Sequence, residues 1–335
     1  MDAETSVGAA VKETFARTLL SGLVTLLAVA LPAVADEHFA LVVTGASGEP
    51  EYAEKYDRLR QTLVTTLRDA LSYPADHVIV LAERGEPGVR EASRENVRAA
   101  FGELRQRVAR GDVVLVFLVG HGTVFEGEAA KFNLVGPDLS ADEWATLVGP
   151  IAGRLVFVNT SSASFPFLRA LARPGRIVVT ATDSAAQQFE TVFPEFFIRA
   201  FADATSDVDK DGNVSVWEAF SYASAGVRSW FGEQGRLATE RALLDDTGAG
   251  AGREADAPGR DDALARATYL RPERAAGSPV NPSRVALLQH RAEVNARIER
   301  LKAGLPGLLP EEYADELERL LLELASIDRQ LREQP

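Results

Sequence analysis

The sequence has no cysteine among its 335 residues. This absence excludes disulfide bonds, thiolate metal sites and a thiol nucleophile. Basic residues are also in deficit, with 36 lysines and arginines against 49 aspartates and glutamates, for a formal net charge of −13. A general nucleic-acid binder needs a basic surface to contact phosphates, so we expect no nucleic-acid partner. The excess of acidic side chains is instead compatible with cation binding.

Long apolar runs are also lacking. The run over residues 19–31 is shorter than the roughly 20 residues that cross a membrane. Lys12 and Arg17 precede it, and Ala33-Val34-Ala35 follows as a small-x-small cleavage pattern. This layout is typical of a secretory signal peptide over residues 1–35 and predicts a periplasmic or secreted protein. The alternative is an uncleaved segment that anchors the chain, and only then do we expect a membrane partner.

From residue 38 onward, short apolar runs alternate with amphipathic stretches. The runs at residues 113–119 and 155–158 are typical of strands that are buried on both faces of a sheet. Residues 51–71 place Tyr56, Leu59 and Leu63 at helical spacing. Strands that alternate with helices predict an α/β domain over residues 36–245, with a mostly parallel sheet and helices on both faces.

The remainder of the chain changes in character. Residues 246–262 are rich in glycine, alanine and aspartate, and we predict a linker or mobile loop over residues 246–282. Two apolar stripes follow, separated by Gly304-Leu-Pro-Gly307, and predict a C-terminal αα-hairpin over residues 283–335. Two interpretations stay open, in which the hairpin packs on the main domain or mediates self-association or partner binding.

Residues 207–218 match the twelve-residue calcium loop of an EF-hand at every informative place. Gly212 stands at the sixth place, where the loop turns sharply. Since the loop is single, we predict that Ca²⁺ acts as a structural clip rather than as a sensor. The alternative is an acidic surface turn that opens a helix. The predicted ligands are Asp207, Asp209, Asp211, Asn213 through its carbonyl, Ser215 through a water, and Glu218.

Two predicted strands end in residues that suggest hydrolytic chemistry. His121 and Gly122 follow the run at residues 113–119, and Ser161 lies in the polar turn after the next run. The carboxyl ends of parallel strands are where open α/β sheets place their ligands. A base and a hydroxyl nucleophile on neighbouring strands predict a candidate hydrolase site.

These motifs, together with Gly45-Ala-Ser-Gly48 and the segment 177–197, resemble the caspase and legumain clan of cysteine peptidases. The similarity is greatest to the legumain-like C13 peptidases and covers roughly residues 38–245. It implies a caspase-like three-layer fold. In that family the histidine of His-Gly is the general base and a cysteine in the second turn is the nucleophile. The resemblance therefore implies that His121 is the base position and that Ser161 replaces the cysteine.

The second turn departs from the family pattern at two further places. Asn159 stands where the family has an acidic residue, and Ala163-Ser164 replaces a serine-glycine pair. A serine hydroxyl needs a tightly bound base and a third group that orients this base, whereas a thiol needs less. We therefore expect an inactive scaffold that binds a peptide or protein. The alternatives are an active peptidase that uses Ser161 with His121, and an α/β module that binds a small ligand.

Overall fold

The structure is a computed structural model that describes residues 36–124, 129–256, 263–272 and 310–333, with residues 287, 290, 294, 297, 298 and 301. The predicted signal peptide over residues 1–35 lies outside the described residues. So do parts of the predicted linker and of the first hairpin helix. The domain boundaries predicted from the sequence therefore stay predictions.

Ten strands form two sheets within the described residues. Seven strands form the main sheet in the order β10-β9-β8-β4-β1-β2-β3, and every pairing is parallel except that of β10 with β9. The other three form a small antiparallel sheet. The strands are β1 His38–Thr44, β2 Val78–Ala82, β3 Arg90–Glu91, β4 Val113–Val119, β5 Gly122–Thr123, β6 Lys131–Phe132, β7 Leu139–Ser140, β8 Arg154–Asn159, β9 Arg176–Thr180 and β10 Leu243–Asp245.

Helices connect the strands and cover both faces of the main sheet. The first helix, which ends at Thr65, continues into a π-helical turn at Thr66–Ala70. A short 3₁₀ turn at Ala75–His77 precedes β2. The α-helices are α1 Pro50–Thr65, α2 Arg94–Arg107, α3 Ala141–Val148, α4 Phe165–Leu171, α5 Phe193–Ala200, α6 Val216–Glu233, α7 Ala263–Arg266 and the C-terminal helix Pro310–Glu333.

The core has two halves because side chains alternate across each strand. In β4, Leu115 and Phe117 belong to the half that α1, α5 and α6 cover. Val116 and Leu118 belong to the half that α2, α3 and α4 cover. The strand is buried along its whole length. The predicted three-layer α/β architecture, with a mostly parallel sheet between two helical layers, is confirmed.

Helix starts agree with local sequence signals. Ser93 caps α2 by accepting from the Asn96 N–H at 3.3 Å. Ser140 and Glu143 form a complete capping box at α3. Such caps satisfy N–H groups that have no partner within the helix, and each is worth about 1 kcal/mol. These starts could therefore be predicted from the sequence alone.

Described residues of the predicted linker and of the predicted hairpin have buried side chains. Within residues 246–282, Ala265, Thr268 and Leu270 are buried against the domain. Farther on, described helical residues of the first predicted hairpin helix form one apolar cluster with the C-terminal helix. This cluster contains Val294, Ile298, Leu301, Leu320 and Ile327. In the part of the chain that the structure describes, no helix is long and apolar enough to cross a membrane.

The contact between α5 and α6 depends on a glycine. A Cβ atom on Gly226 of α6 would lie 2.3 Å from Cδ1 of the Phe196 ring. We expect Gly226→Ala to lower the free energy of unfolding by about 1–3 kcal/mol, because the ring must shift within a packed interface. Urea denaturation measures this change.

Gly232 lies in the same helix and is the matched control, because a Cβ atom there would meet no atom within 4 Å. We expect Gly232→Ala to raise the free energy of unfolding by up to about 1 kcal/mol, as alanine favours a helix over glycine. Equal effects of the two substitutions would contradict the packing argument.

Candidate functional site

His121 and Ser161 follow neighbouring strands, as predicted. Phe117 and Leu118 of β4 pair with Val158 and Asn159 of β8 in parallel register. The two strands therefore end at the same edge of the sheet. Among the hydrogen bonds of the described residues, however, none joins His121 to Ser161, and each side chain has other partners.

The His121 imidazole lies among aromatic side chains of α1. The Tyr56 hydroxyl is 3.1 Å from its Nε2 atom, and the Tyr52 ring meets the imidazole edge-on at 4.8 Å between centroids. Burial lowers the pKa of His121, although the nearby Glu190 carboxylate acts in the opposite direction. A histidine with a lowered pKa is neutral at neutral pH, so the imidazole keeps the capacity to accept a proton.

The Ser161 side chain is fully buried behind the strand ends. Its hydroxyl donates to Oδ1 of Asn159 at 2.7 Å and lies 3.1 Å from the Ser162 carbonyl. The Ser161 N–H donates to the same Asn159 oxygen at 3.0 Å. Asn159, which stands at the place of an acidic residue in the family pattern, therefore holds the serine turn in shape.

Ser162 joins the serine turn to the segment that carries His121. Its hydroxyl accepts from the Gly122 N–H at 3.1 Å and donates to the Gly122 carbonyl at 3.1 Å. A Cβ atom on Gly122 would lie 2.2 Å from the Ser162 carbonyl oxygen and 2.9 Å from the Ser161 hydroxyl. Only glycine allows this approach, and the close contact covers Ser161.

A network of charges holds the loop that follows β9 against α1. Lys55 lies 3.0 Å from Glu190 and 3.1 Å from Glu195. The buried Glu240 carboxylate accepts from the N–H groups of Val192 and Phe193 at 2.9 and 2.8 Å. These contacts fix the start of α5 and position Glu190 near His121.

The side chains that surround His121 are not among the predicted site residues. Tyr52, Lys55 and Tyr56 lie within one turn of α1, and Tyr52 and Tyr56 have the four-residue spacing of neighbours on one helix face. That spacing was the available signal. Glu190 and Glu240 are 50 positions apart, and no local pattern connects them.

The acidic loop brings together three of its predicted ligands. Asp207, Asp209 and Asp211 each place an oxygen so that all three oxygens lie within 4.8 Å of one another, which is a group that could hold a metal ion. Burial raises the pKa of Asp211, and the charges of Asp207 and Glu218 act in the same direction. A bound cation would offset this repulsion. Hard carboxylate oxygens also form the donor set that Ca²⁺ prefers.

Glu218 and Ser215 occupy the end of the loop and the start of α6. Glu218 Oε2 accepts from the Ser215 N–H and hydroxyl at 2.9 and 2.8 Å, which completes a capping box. Glu218 Oε1 accepts from the Val208 N–H at 2.9 Å. The N–H of Asn213 donates to Asp211 at 2.8 Å. Glu218 therefore closes the loop, while its role and those of Asn213 and Ser215 as metal ligands stay predictions.

The Glu240 carboxyl makes stability depend on pH. Burial raises its pKa to about 7 from 4.5, so between these values the folded protein binds more protons than the unfolded chain. We expect wild-type stability to lose about 2–3 kcal/mol from this group as the pH rises from about 4.5 to about 7. Glu240→Gln has no titrating carboxyl group at this position. The unfolding free energy of the variant minus that of the wild type should therefore become more positive as the pH rises over that range. Parallel pH profiles, measured by urea denaturation, would contradict the assignment.

Comparisons with known proteins add a likeness of fold. No family model matches the sequence, and no curated protein matches it. The solved structures that are similar include protein GSU0716 from Geobacter sulfurreducens, at 14% identity over 57% of this chain and 89% of that chain, with a TM-score of 0.39. They also include the Drosophila initiator caspase Dronc, at 10% identity over 66% of this chain and 83% of that chain, with a TM-score of 0.39. The caspase drICE is similar at 9% identity over 63% and 87% of the two chains, with a TM-score of 0.35. Since the TM-scores are below 0.5, these likenesses do not decide the family, and legumain-like membership stays a prediction.

Proposed function

We propose that this chain is a catalytically inactive relative of the caspase and legumain-like peptidases. In this proposal it binds a peptide or protein partner beside His121 and holds Ca²⁺ in the loop 207–218. The observation that carries the proposal is the direction of the Ser161 hydroxyl. It is buried and donates to Asn159 at 2.7 Å, not to the imidazole of His121.

A serine nucleophile requires a base that removes its proton at hydrogen-bond distance. His121 has Tyr56 as its hydroxyl partner, at 3.1 Å. Ser161 has the Asn159 amide oxygen, which is a much weaker base than an imidazole. Attack by Ser161 would need both hydrogen bonds to break and the turn to rearrange.

Acyl transfer also needs free N–H donors for the negative charge that develops on the substrate oxygen. The Gly122 N–H lies beside the serine turn, but it donates to Ser162 at 3.1 Å. Ser161 and Gly122 are thus both committed to internal hydrogen bonds. These bonds favour an inactive protein over a serine peptidase.

The surroundings of His121 favour binding instead. Tyr52 and His121 are half-buried, and Phe189 in the adjacent loop is 78% exposed. Aromatic side chains that combine apolar area with polar atoms are enriched where proteins bind one another. A peptide or protein is therefore the partner class we propose. Export and self-association through the hairpin belong to the same proposal and rest on the sequence patterns alone.

Because the natural sequence has no cysteine, a single introduced thiol tests directly whether position 161 is buried. The variant Ser161→Cys has one thiol at the family's nucleophile position, and Ala186→Cys has one thiol at an exposed position in the loop after β9. Because buried thiols are inert, we expect iodoacetamide to alkylate Cys at position 161 at least about tenfold more slowly than at position 186 in the folded protein. Mass spectrometry of timed samples measures both rates.

Rapid alkylation at position 161 would contradict the buried serine turn. Peptide-library hydrolysis by the wild type provides the functional counterpart. Cleavage that disappears in both Ser161→Ala and His121→Ala would overturn the proposal in favour of the active peptidase.

The calcium site has its own test. We expect a Ca²⁺ concentration of about 100 times the dissociation constant to raise the melting temperature by about 5 °C, because the ion binds the folded state. Asp207→Asn should abolish this increase, since it removes one of the three grouped carboxylates. Asp203→Asn is the control, because Asp203 precedes the loop and bonds to Thr205 and Tyr222. An equal calcium response in the two variants, or none in the wild type, would refute the site.

A further inference from the structure

Residues 263–272, which we call the C-terminal strap, pack against the acidic loop. Thr268 accepts from the Val216 N–H at 2.9 Å, and Tyr269 forms an antiparallel bridge with Ser215. The Tyr269 hydroxyl donates to Oδ2 of Asp211 at 2.7 Å. The strap therefore contacts both the first turn of α6 and a predicted metal ligand.

The same strap is bound to the amino end of the sheet. The Arg154 side chain, at the start of β8, donates to the Thr268 hydroxyl at 3.3 Å. His38, at the start of β1, lies 3.2 Å from the Leu270 carbonyl. Thr268 and Leu270 are almost fully buried. The strap thus connects the acidic loop to two strands of the domain.

Tyr269 orients the Asp211 carboxylate from outside the acidic group. Asp211 Oδ1 accepts from the Asn213 N–H at 2.8 Å, while Oδ2 accepts from Tyr269. With both oxygens bound, the carboxylate has one orientation, in which it lies close to Asp207 and Asp209. Each carboxylate oxygen has a second lone pair that remains for a cation. Partners that orient a ligand in this way typically change metal affinity by about 10- to 100-fold.

We propose that Tyr269 positions Asp211 for cation binding, so that occupancy of the loop 207–218 and docking of the C-terminal strap form one linked equilibrium. This inference rests on the proposed calcium site. Linkage is reciprocal: if the docked strap strengthens ion binding, the ion strengthens docking by the same factor. Because the strap precedes the predicted hairpin in the chain, the ion also determines how firmly the C-terminal part is tethered to the domain.

The experiment uses the full chain and two tyrosine variants. Tyr269→Phe removes the hydroxyl that bonds to Asp211. Tyr222→Phe is the matched control, because Tyr222 donates to Asp203 at 2.6 Å, and Asp203 lies outside the acidic group. We expect calorimetric titration with CaCl₂ to give about tenfold weaker binding for Tyr269→Phe and unchanged binding for Tyr222→Phe.

Hydrogen–deuterium exchange measures the other half of the linkage. With saturating CaCl₂, we expect amides of the strap in the wild type to exchange about tenfold more slowly than in chelator. This calcium-dependent protection should be largely lost in Tyr269→Phe and kept in Tyr222→Phe. A single linked equilibrium predicts that the fold-change in calcium affinity, measured by titration, agrees with the fold-change in protection of the strap, measured by exchange.

The outcomes separate the linkage from the calcium site itself. If the wild type binds Ca²⁺, but Tyr269→Phe binds it equally and strap exchange does not respond to the ion, the linkage is overturned and the calcium site stands. If the wild type gives no heat of binding and no change in exchange, both proposals fail. If Tyr222→Phe weakens binding as much as Tyr269→Phe, the effect is general to the region and the positioning role of Tyr269 is refuted.

Discussion

The parallel pairing of β4 with β8 is the constraint on which the candidate site depends. It brings the ends of both strands to one edge of the sheet, so that the segment containing His121 and the serine turn must share a small space. Gly122 allows them to approach because it has no side chain. The Ser162 hydroxyl then forms two hydrogen bonds with the Gly122 backbone. The Ser161 and Ser162 hydroxyls and the Gly122 backbone thus have partners inside the protein, as most buried polar groups do.

These internal hydrogen bonds explain how the elements of a hydrolase site lead to a binding proposal. A thiol is intrinsically nucleophilic and tolerates a loosely placed base, whereas a serine needs a short hydrogen bond to an oriented imidazole. Here the Asn159 amide oxygen accepts the hydrogen bond of the Ser161 hydroxyl, and the Tyr56 hydroxyl is the hydrogen-bond partner of the imidazole. The aromatic side chains near His121 remain as the feature that a partner could contact.

The acidic loop, α6 and the C-terminal strap form a second, independent region. Glu218 serves both as the last residue of the loop pattern and as the capping residue of α6. The strap adds Tyr269 to this arrangement and is itself held by residues at the amino end of the sheet. Hydrogen bonds of the strap therefore connect the acidic loop to the starts of β1 and β8, at the end of the strands opposite to that of His121.

The sequence by itself determined the features that depend on local periodicity and short spacing. Alternating apolar runs predicted the three-layer architecture, and the spacing of Asp207, Asp209 and Asp211 predicted their convergence. These features are local because backbone geometry relates residues a few positions apart in a fixed way. Only the tertiary structure decided that Tyr56 is the partner of His121, that Glu240 caps α5, and that residues 263–272 pack against the acidic loop. Such contacts join residues tens of positions apart through the packing of whole elements, and no pattern of neighbouring residues encodes them.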